Sequence, residues 1–236
     1  MKIEGARVLL TGGSLGIGKE AAKLLVEKGA LVVITGRGKE RVEAAASEVG
    51  AYPVVADVAK DEDRKDSFEK AVAHLGGLDC LINNAGIGVF APITEVTEED
   101  FQKVFSVNVF GAALMAQLAA NHFISKGQGG DIINISSTAS LRGYAGGSVY
   151  SASKFALRSM SECWRAELRK HDIRVITVNP SEVPTAFRSP DERIERPEED
   201  GKLTSKEIAH TIVSAMEMDN RGFIPEVTVH ATNPFK

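Results

Sequence analysis

A tyrosine and a lysine four residues apart, Tyr150 and Lys154, form the pair in this sequence best suited to move a proton. The pattern of residues 150–170 predicts a helix, on which side chains at positions i and i+4 lie on the same face. A free phenol has a pKa of about 10, too high for a base at neutral pH, but a nearby ammonium favours the phenolate. We therefore predict that Tyr150 is a general acid/base whose pKa Lys154 lowers. On a solvated helix the same pair would have no role.

A glycine-rich turn, Thr11-Gly12-Gly13-Ser14-Leu15-Gly16-Ile17-Gly18, follows the first predicted strand and opens a helix. Glycine allows a tight turn and a close approach of backbone to ligand, and the helix N-terminus presents free N–H groups and a partial positive charge. The turn is predicted to hold the pyrophosphate of a dinucleotide; an ordinary strand-to-helix turn is the alternative. The residues assigned to this role are Gly12, Ser14, Leu15, Gly16, Ile17 and Gly18.

Short β-branched runs alternate with helical patterns along the chain. The predicted strands are 8–11, 31–35, 52–55, 78–83, 131–136, 174–179 and 223–229, and the predicted helices are 17–28, 40–49, 63–75, 98–124, 150–170 and 205–216. Nearly continuous apolar strands separated by helices are typical of a parallel sheet covered on both faces. The pattern predicts a doubly wound, Rossmann-like α/β fold with three α/β/α layers, in which ligands bind at the carboxyl ends of the strands.

No repeat or low-complexity linker divides the 236 residues. We therefore predict a single domain, 1–236. Three prolines and an acidic cluster interrupt the alternation in residues 184–204, which we expect to form a loop or lid on the substrate side.

Composition excludes several classes of protein. Lys and Arg number 28 against 32 Asp and Glu, without a long basic tract, so nucleic acid is not an expected partner. Cys80 and Cys163 have neither disulfide nor zinc spacing, and the five histidines form no ligand cluster, so no metal site is expected. No apolar run approaches the roughly 20 residues of a membrane span, and the first residues lack a signal-peptide pattern. We expect a soluble cytoplasmic protein.

Five further motifs follow the glycine turn in order. They are Asp57-Val58, Asn83-Asn84-Ala85-Gly86, Ser106-Val107-Asn108, Ser136-Ser137 and Tyr150-Ser151-Ala152-Ser153-Lys154. Together with the TGxxxGxG turn they resemble the short-chain dehydrogenase/reductase family from Arg7 to about Thr185, and the chain is similar to bacterial 3-oxoacyl-carrier-protein reductases and carbonyl reductases. The resemblance implies hydride transfer between a nicotinamide cofactor and a carbonyl/alcohol substrate, in a homodimer or homotetramer.

The resemblance implies four catalytic residues. The Ser137 hydroxyl hydrogen-bonds the substrate oxygen, and Asn108 positions a water in a proton relay. Tyr150 and Lys154 also contact the cofactor, Lys154 through the nicotinamide ribose. A positively charged nicotinamide ring favours the phenolate of Tyr150 together with the Lys154 ammonium. Ser137 is preferred to Ser136 because it lies thirteen residues before Tyr150, the spacing usual in the family. Outside the family context, a Ser-Ser pair at the end of a strand would be a turn or a helix cap.

The resemblance also implies contacts with the rest of the cofactor. It places Asp57 and Val58 at the adenine, Asn84, Ala85 and Gly86 at the adenosine half, and Pro180, Val183 and Thr185 at the carboxamide end. Asp57 could instead cap a turn, and Ser181 replaces the glycine that the family commonly has after Pro180. Phe90, Tyr144 and Phe187 are expected around the substrate, with a surface or core role as the alternative for each.

The second predicted strand ends in Thr35-Gly36-Arg37-Gly38-Lys39, without an acid. An NAD site places a carboxylate here against the ribose 2′-hydroxyl, whereas a guanidinium can pair with a 2′-phosphate. We therefore expect NADP(H), bound through Arg37, with NAD(H) as the alternative. Leu15 is a departure, because many NADP-preferring relatives carry a second basic residue there.

Two functional classes remain open. One is an NADP(H)-dependent oxidoreductase acting on a small-molecule carbonyl or alcohol, and the other is a non-catalytic nucleotide-sensing or partner-binding protein on the same fold. The set of Ser137, Tyr150 and Lys154 favours the enzyme, because a sensor needs no acid/base.

Overall fold

Seven parallel strands form one sheet in the computed structural model of the protein, which describes residues 1–188 and 196–234. The strands are β1 (Arg7–Thr11), β2 (Leu31–Gly36), β3 (Tyr52–Val55), β4 (Cys80–Asn83), β5 (Gly130–Ile135), β6 (Ile173–Pro180) and β7 (Glu226–Val229). The α-helices are α1 (Gly16–Glu27), α2 (Lys39–Val49), α3 (Asp61–Leu75), α4 (Glu98–Phe105), α5 (Ala112–Lys126), α6 (Ser148–Leu168) and α7 (Ser205–Glu217).

Alternating side chains of β1 reach two separate cores. Val8 and Leu10 pack in a cluster with α1, α2 and α7, whereas Leu9 packs on the opposite face with α3 and α5. All three side chains are fully buried. Full burial of an aliphatic side chain of this size contributes about 1.5–3 kcal/mol, so each face of the strand holds a helical layer in place. The predicted three-layer α/β/α fold is confirmed.

The strand order is β3-β2-β1-β4-β5-β6-β7, so the chain runs outward from β1 to one edge and then returns to β4 at the centre. Connections from β1 and β4 therefore leave in opposite directions, which opens a crevice between their carboxyl ends. The glycine turn follows β1 and the Asn84-Ala85-Gly86 turn follows β4, so both predicted cofactor turns lie at this crevice.

The helix predicted for residues 98–124 is not one continuous α-helix. A π-helical segment, Ser106–Gly111, separates α4 from α5 and carries Asn108. Close packing accompanies the change, because a Cβ atom on Gly111 would lie 2.9 Å from Cγ2 of Val58. Short π segments are rare and are frequent at functional sites. A pattern of apolar residues does not distinguish them from α-helix, which is why the prediction missed this one.

By length and composition alone, the helical run Glu98–Lys126 could cross a membrane. Its apolar side chains instead line the core: Met115, Ala119 and Phe123 are 0–1% exposed and pack under the sheet. We therefore interpret the apolar side chains of this helical run as part of the protein core.

Two strands begin later than predicted. The fourth starts at Cys80, although the Asp79 N–H already donates to the Arg7 carbonyl at 2.9 Å and the Asp79 carboxylate accepts the Arg7 N–H at 2.8 Å. The seventh starts at Glu226 because Pro225 has no N–H to donate. In the predicted loop 184–204, residues 189–195 lie outside the described part of the chain, and Ala186–Arg188 form a 3₁₀ turn.

Candidate active site

The two turns at the crevice are bonded to each other. Oγ1 of Thr11 accepts the N–H groups of Asn84 and Ala85, each at 3.1 Å, and Nδ2 of Asn84 donates to the Gly12 carbonyl at 2.8 Å. Gly12 has φ +68°, and a Cβ atom there would lie 2.8 Å from Cα of Ala85. The contact between the turns therefore requires glycine at this position.

Gly18 packs the helix against the turn, and it is not among the residues that line the cavity. A Cβ atom on Gly18 would lie 2.3 Å from the Gly12 carbonyl oxygen and 2.4 Å from Nδ2 of Asn84. The other residues assigned to the turn do line the cavity: Gly12, Ser14, Leu15, Gly16 and Ile17.

A cavity of about 820 Å³ opens over the crevice. Among the described residues that line it, the basic ones are Arg37, Arg41, Arg142, Lys154 and Arg196, and the acidic ones are Asp57 and Glu182. An excess of basic groups attracts an anionic ligand, and the volume is typical of a small-molecule or cofactor site. Within residues 1–188 and 196–234, no group of three His, Cys, Asp or Glu side chains could hold a metal ion.

Tyr150 and Lys154, on the first turns of α6, both line this cavity while being only 9% and 4% exposed. Nζ of Lys154 lies 5.8 Å from the Tyr150 ring centroid and donates to the Ile135 carbonyl at 2.8 Å. The Ser137 side chain hydrogen-bonds the Tyr150 phenol. A phenol, a hydroxyl and an ammonium thus meet on one wall of the cavity.

Burial raises the pKa of the Tyr150 phenol above its usual value, and the hydrogen bond with Ser137 opposes this only in part. Burial also lowers the pKa of Lys154 to about 8. Lys154 alone therefore does not produce the expected lowering of the phenol pKa. Removing a phenolate from water raises the phenol pKa more than the neighbouring groups of the protein lower it.

The two candidate serines have different surroundings. Ser137 is the N-cap of the 3₁₀ turn Thr138–Ser140, and its Oγ accepts the Ala139 N–H at 3.1 Å. Ser136 is buried, and its hydroxyl donates to the Lys154 carbonyl at 3.5 Å. Ser137 therefore serves as a cap and faces the phenol as well.

The Asn108 side chain does not reach the cavity. Its Oδ1 accepts the Ile87 N–H at 2.9 Å, and its Nδ2 donates to the Ile87 carbonyl at 2.9 Å and to Oγ of Ser153 at 3.0 Å. Both amide hydrogens are therefore used inside the protein, so the amide has none left to donate to a water. A Cβ atom on Gly86 would lie 3.4 Å from Oδ1 of Asn108 and 3.7 Å from Nζ of Lys154, so this glycine lies beside both side chains.

The remaining predicted cofactor residues lie along the same cavity. They are Arg37, Asp57, Val58, Asn84, Ala85, Gly86, Pro180, Val183 and Thr185. Asp57 also caps its turn, because its Oδ1 accepts the Ala59 N–H at 3.0 Å. Ser181 is tolerated where the family commonly has glycine, since Asp172 is the only described non-glycine residue with a positive φ.

Arg41, Arg196 and His230 are among the cavity residues that were not predicted. Arg41, in the first turn of α2, lies near Arg37, and the spacing of four residues between the two arginines could have indicated it. Arg196 and His230 come from distant parts of the chain and belong to no motif. Neither Arg37 nor Arg41 pairs with a carboxylate in the described part of the chain, so both guanidinium groups are available to an anion.

Comparisons with known proteins agree with this geometry. Residues 6–195 match the family model described as short chain dehydrogenase. Sorbitol dehydrogenase of Cereibacter sphaeroides is 37% identical over 187 residues, covering 78% of this chain and 72% of the relative. L-xylulose reductase of Bos taurus is 37% identical over 185 residues, covering 78% and 75%.

Two solved structures show the same fold. An alcohol dehydrogenase from Thermococcus sibiricus, complexed with 5-hydroxy-NADP, has a TM-score of 0.87 and 25% identity, with 96% of this chain and 97% of that chain covered. A 3-ketoacyl-(acyl-carrier-protein) reductase from Brucella melitensis, complexed with NADH, has a TM-score of 0.86 and 28% identity, with 99% and 100% covered. The chain belongs to the short-chain dehydrogenase/reductase family, oxidoreductases that use nicotinamide cofactors on alcohols and carbonyls.

Proposed function

We propose that the protein is an NADP(H)-dependent oxidoreductase that interconverts a carbonyl and an alcohol, with Tyr150 as its general acid/base. The observation that carries the proposal is the meeting of Tyr150, Ser137 and Lys154 on a buried wall of a cavity that is otherwise rich in basic groups. A nicotinamide cofactor bound in this cavity supplies or accepts the hydride.

The cavity suits a dinucleotide in three respects. Its volume of about 820 Å³ is sufficient, and its lining includes a glycine turn that opens a helix. Arg37 and Arg41 also line it, and neither pairs with a carboxylate within residues 1–188 and 196–234. In the proposal the turn holds the pyrophosphate, Lys154 the nicotinamide ribose, and Arg37 the 2′-phosphate. The other contacts are Asp57, Val58, Asn84, Ala85 and Gly86 for the adenosine half, and Pro180, Val183 and Thr185 for the carboxamide end.

Three side chains would take part in the proton transfer. In reduction, Tyr150 gives its proton to the substrate oxygen, while the Ser137 hydroxyl donates a hydrogen bond to the same oxygen. In the other direction, Tyr150 takes the hydroxyl proton. Lys154, with a pKa of about 8, remains mostly protonated at pH 7 and stabilises the phenolate electrostatically. Asn108 acts as a positioning residue through its side-chain hydrogen bonds to the Ile87 backbone.

The preference for NADPH is tested by Arg37→Asp. The substitution removes a guanidinium and places a carboxylate near the 2′-phosphate, so kcat/KM for NADPH should fall by about 100-fold while that for NADH changes by less than about threefold. Arg41→Ala should show the same selectivity with a smaller loss. The measurement is steady-state kinetics with each cofactor, and Arg221→Asp, on an exposed side chain outside the cavity, is the control. Equal losses for both cofactors would show that Arg37 does not bind the phosphate.

The glycine turn is tested by Gly12→Ala against Gly76→Ala. Both glycines have φ near +70°, so both variants carry the same backbone strain, but only at Gly12 would the new methyl lie 2.8 Å from Cα of Ala85. We expect Gly12→Ala to weaken NADPH binding by more than about tenfold, because the clash with Ala85 would displace the glycine turn and the backbone N–H groups that bind the pyrophosphate in the proposal. Gly76→Ala should leave NADPH binding unchanged. Fluorescence titration of NADPH measures this, and equal affinity in the two variants would contradict it.

The function itself is tested in two steps. Thermal-shift titrations with NADPH and NADH establish binding, and a panel of ketones, acyl thioesters, sugars and steroids is then followed at the NADPH absorbance band. Binding with turnover supports the enzyme. Binding without turnover of any carbonyl or alcohol favours the nucleotide-sensing or partner-binding protein on this fold, and absence of binding contradicts both.

The proposal extends to a cytoplasmic homodimer or homotetramer that acts on small molecules. Both cysteines are free, as in a reducing compartment. Phe101, Phe110 and Phe155 are exposed on the helices α4 to α6 and the segment between them, which supports an oligomer contact there.

A further inference from the structure

Three aromatic rings meet at the reactive phenol. The Tyr150 ring centroid lies 5.5 Å from that of Phe90 and 5.2 Å from that of Phe187, and the two phenylalanine rings are 6.3 Å apart. Both phenylalanines line the cavity, and Phe90 is 39% exposed although it lies beside a buried site. A large apolar surface open to a cavity favours a ligand that covers it with apolar groups.

Gly88 makes room for these rings. A Cβ atom at this position would lie 2.6 Å from Cζ of Phe90 and 2.8 Å from Cε1 of Phe187. Gly88 does not have a positive φ, so its backbone does not require glycine. The missing side chain therefore matters for the placement of the two rings, and Gly88 helps to set the shape of the cavity beside Tyr150.

The described surroundings offer apolar contact more than hydrogen bonds. Leu141, Tyr144 and Ala186 also line the cavity, with Leu141 and Tyr144 exposed to it. Two of the charged groups of the lining are already engaged: Glu182 pairs with Lys202 at 2.7 Å, and Arg196 pairs with Glu199. Hydroxyl groups of a polyol that face the Phe90 and Phe187 rings would lose water without gaining a partner from those rings, although Ser137 and Arg142 line the same cavity.

We propose that the substrate carries an apolar ring next to its reactive carbonyl or carbinol carbon, held against Phe90 and Phe187. The substrate class is therefore an aryl or cycloalkyl ketone or the corresponding secondary alcohol, and not a ketose or polyol. This inference rests on the proposed function, and it departs from the sugar-related names of the relatives sorbitol dehydrogenase and L-xylulose reductase.

The test uses the purified full-length protein with NADPH and four carbonyl probes: acetophenone, cyclohexyl methyl ketone, butan-2-one and xylulose. We expect kcat/KM for the two ring-bearing ketones to exceed that for xylulose by more than about 100-fold. Phe187→Ala should lower kcat/KM for the ring-bearing ketones by about 10- to 100-fold, mainly through KM, and change butan-2-one by less than about threefold. Gly88→Ala should likewise act on the ring-bearing ketones, because it displaces both phenylalanines.

Two further variants keep the result interpretable. Phe187→Leu retains an apolar side chain and should lose less than Phe187→Ala, which guards against a folding defect in the smaller variant. Tyr52→Ala removes an exposed ring on the edge strand β3, outside the cavity, and should leave all four ratios unchanged. Thermal melts with and without NADPH accompany each assay.

The outcomes separate the substrate class from the reaction. A preference for xylulose, or equal losses for butan-2-one and acetophenone in Phe187→Ala, overturns the proposed substrate class while leaving the oxidoreductase in place; equal losses would mean that the rings only exclude water from Tyr150. Absence of turnover with every probe and with the wider panel, despite a thermal shift with NADPH, overturns the proposed function and the substrate class with it.

Discussion

Tyr150→Phe is expected to lower kcat/KM for carbonyl reduction by about 10³- to 10⁴-fold. The substitution removes one oxygen atom and leaves the ring between Phe90 and Phe187, at centroid distances of 5.5 and 5.2 Å. The shape of the cavity should therefore persist while the group that exchanges a proton with the substrate is lost. NADPH affinity should stay within about twofold, because the proposed phosphate contacts lie elsewhere on the cavity wall.

The stability of this variant distinguishes loss of chemistry from loss of structure. Burial raises the pKa of the Tyr150 phenol, so the phenol of the protein alone is neutral at pH 7, and its replacement removes no buried charge. The lost hydrogen bond with Ser137 is expected to change the free energy of unfolding by about 1 kcal/mol. Chemical denaturation and NADPH titration measure both quantities, with Tyr52→Phe, outside the cavity, as the matched control.

Retained turnover in Tyr150→Phe would remove the phenol from the mechanism. A wild-type protein that binds NADPH but turns over nothing would instead point to the sensing alternative. The two results are distinct, since the first leaves an active enzyme with another acid/base.

The layered fold followed from the sequence because burial on both faces of a parallel sheet demands apolar strands. Leu9 reaches one core while Val8 and Leu10 reach the other, so the whole run had to be apolar. The glycine turn could also be predicted from the sequence, because a Cβ atom on Gly12 would clash with the backbone of Ala85. Local sequence patterns were therefore sufficient to predict the architecture and the glycine turn.

The parts that sequence reasoning missed depend on long-range contacts. The side-chain partners of Asn108 are Ile87 and Ser153, which lie 21 and 45 residues away along the chain. His230 reaches the cavity because β7 pairs with β6, a contact without a local signal. The direction of the Tyr150 pKa shift also depended on burial, which the spacing to Lys154 does not reveal.

We expect the buried ammonium of Lys154 to lower the free energy of unfolding of the cofactor-free protein, and Lys154→Met tests this. Burial lowers the pKa of Lys154 from 10.5 to about 8, and the side chain is 4% exposed. At about 1.36 kcal/mol per pH unit, the charged form costs the folded state on the order of 3 kcal/mol below pH 8, where folded and unfolded chains both hold the proton. Between about pH 8 and 10.5 only the unfolded chain holds it, so stability should rise with pH across that window.

Methionine has a similar length but no charge, so Lys154→Met should raise the free energy of unfolding at pH 7. About 1 kcal/mol of the gain is lost because the Ile135 carbonyl loses its donor, which leaves a net gain of about 1–2 kcal/mol. The rise in stability between about pH 8 and 10.5 should disappear in this variant. Activity should fall by at least about 100-fold, because the phenolate of Tyr150 would lose its neighbouring positive charge.

Urea denaturation of the cofactor-free protein from pH 6 to 10.5 measures the pH dependence directly, with Lys103→Met, on the exposed face of α4, as the control. A Lys154→Met variant that is less stable than the wild type at pH 7, or that keeps the alkaline rise, would show that the ammonium is not penalised by burial. A variant that is more stable and inactive would show that the fold accepts a less stable core to keep a charge beside Tyr150.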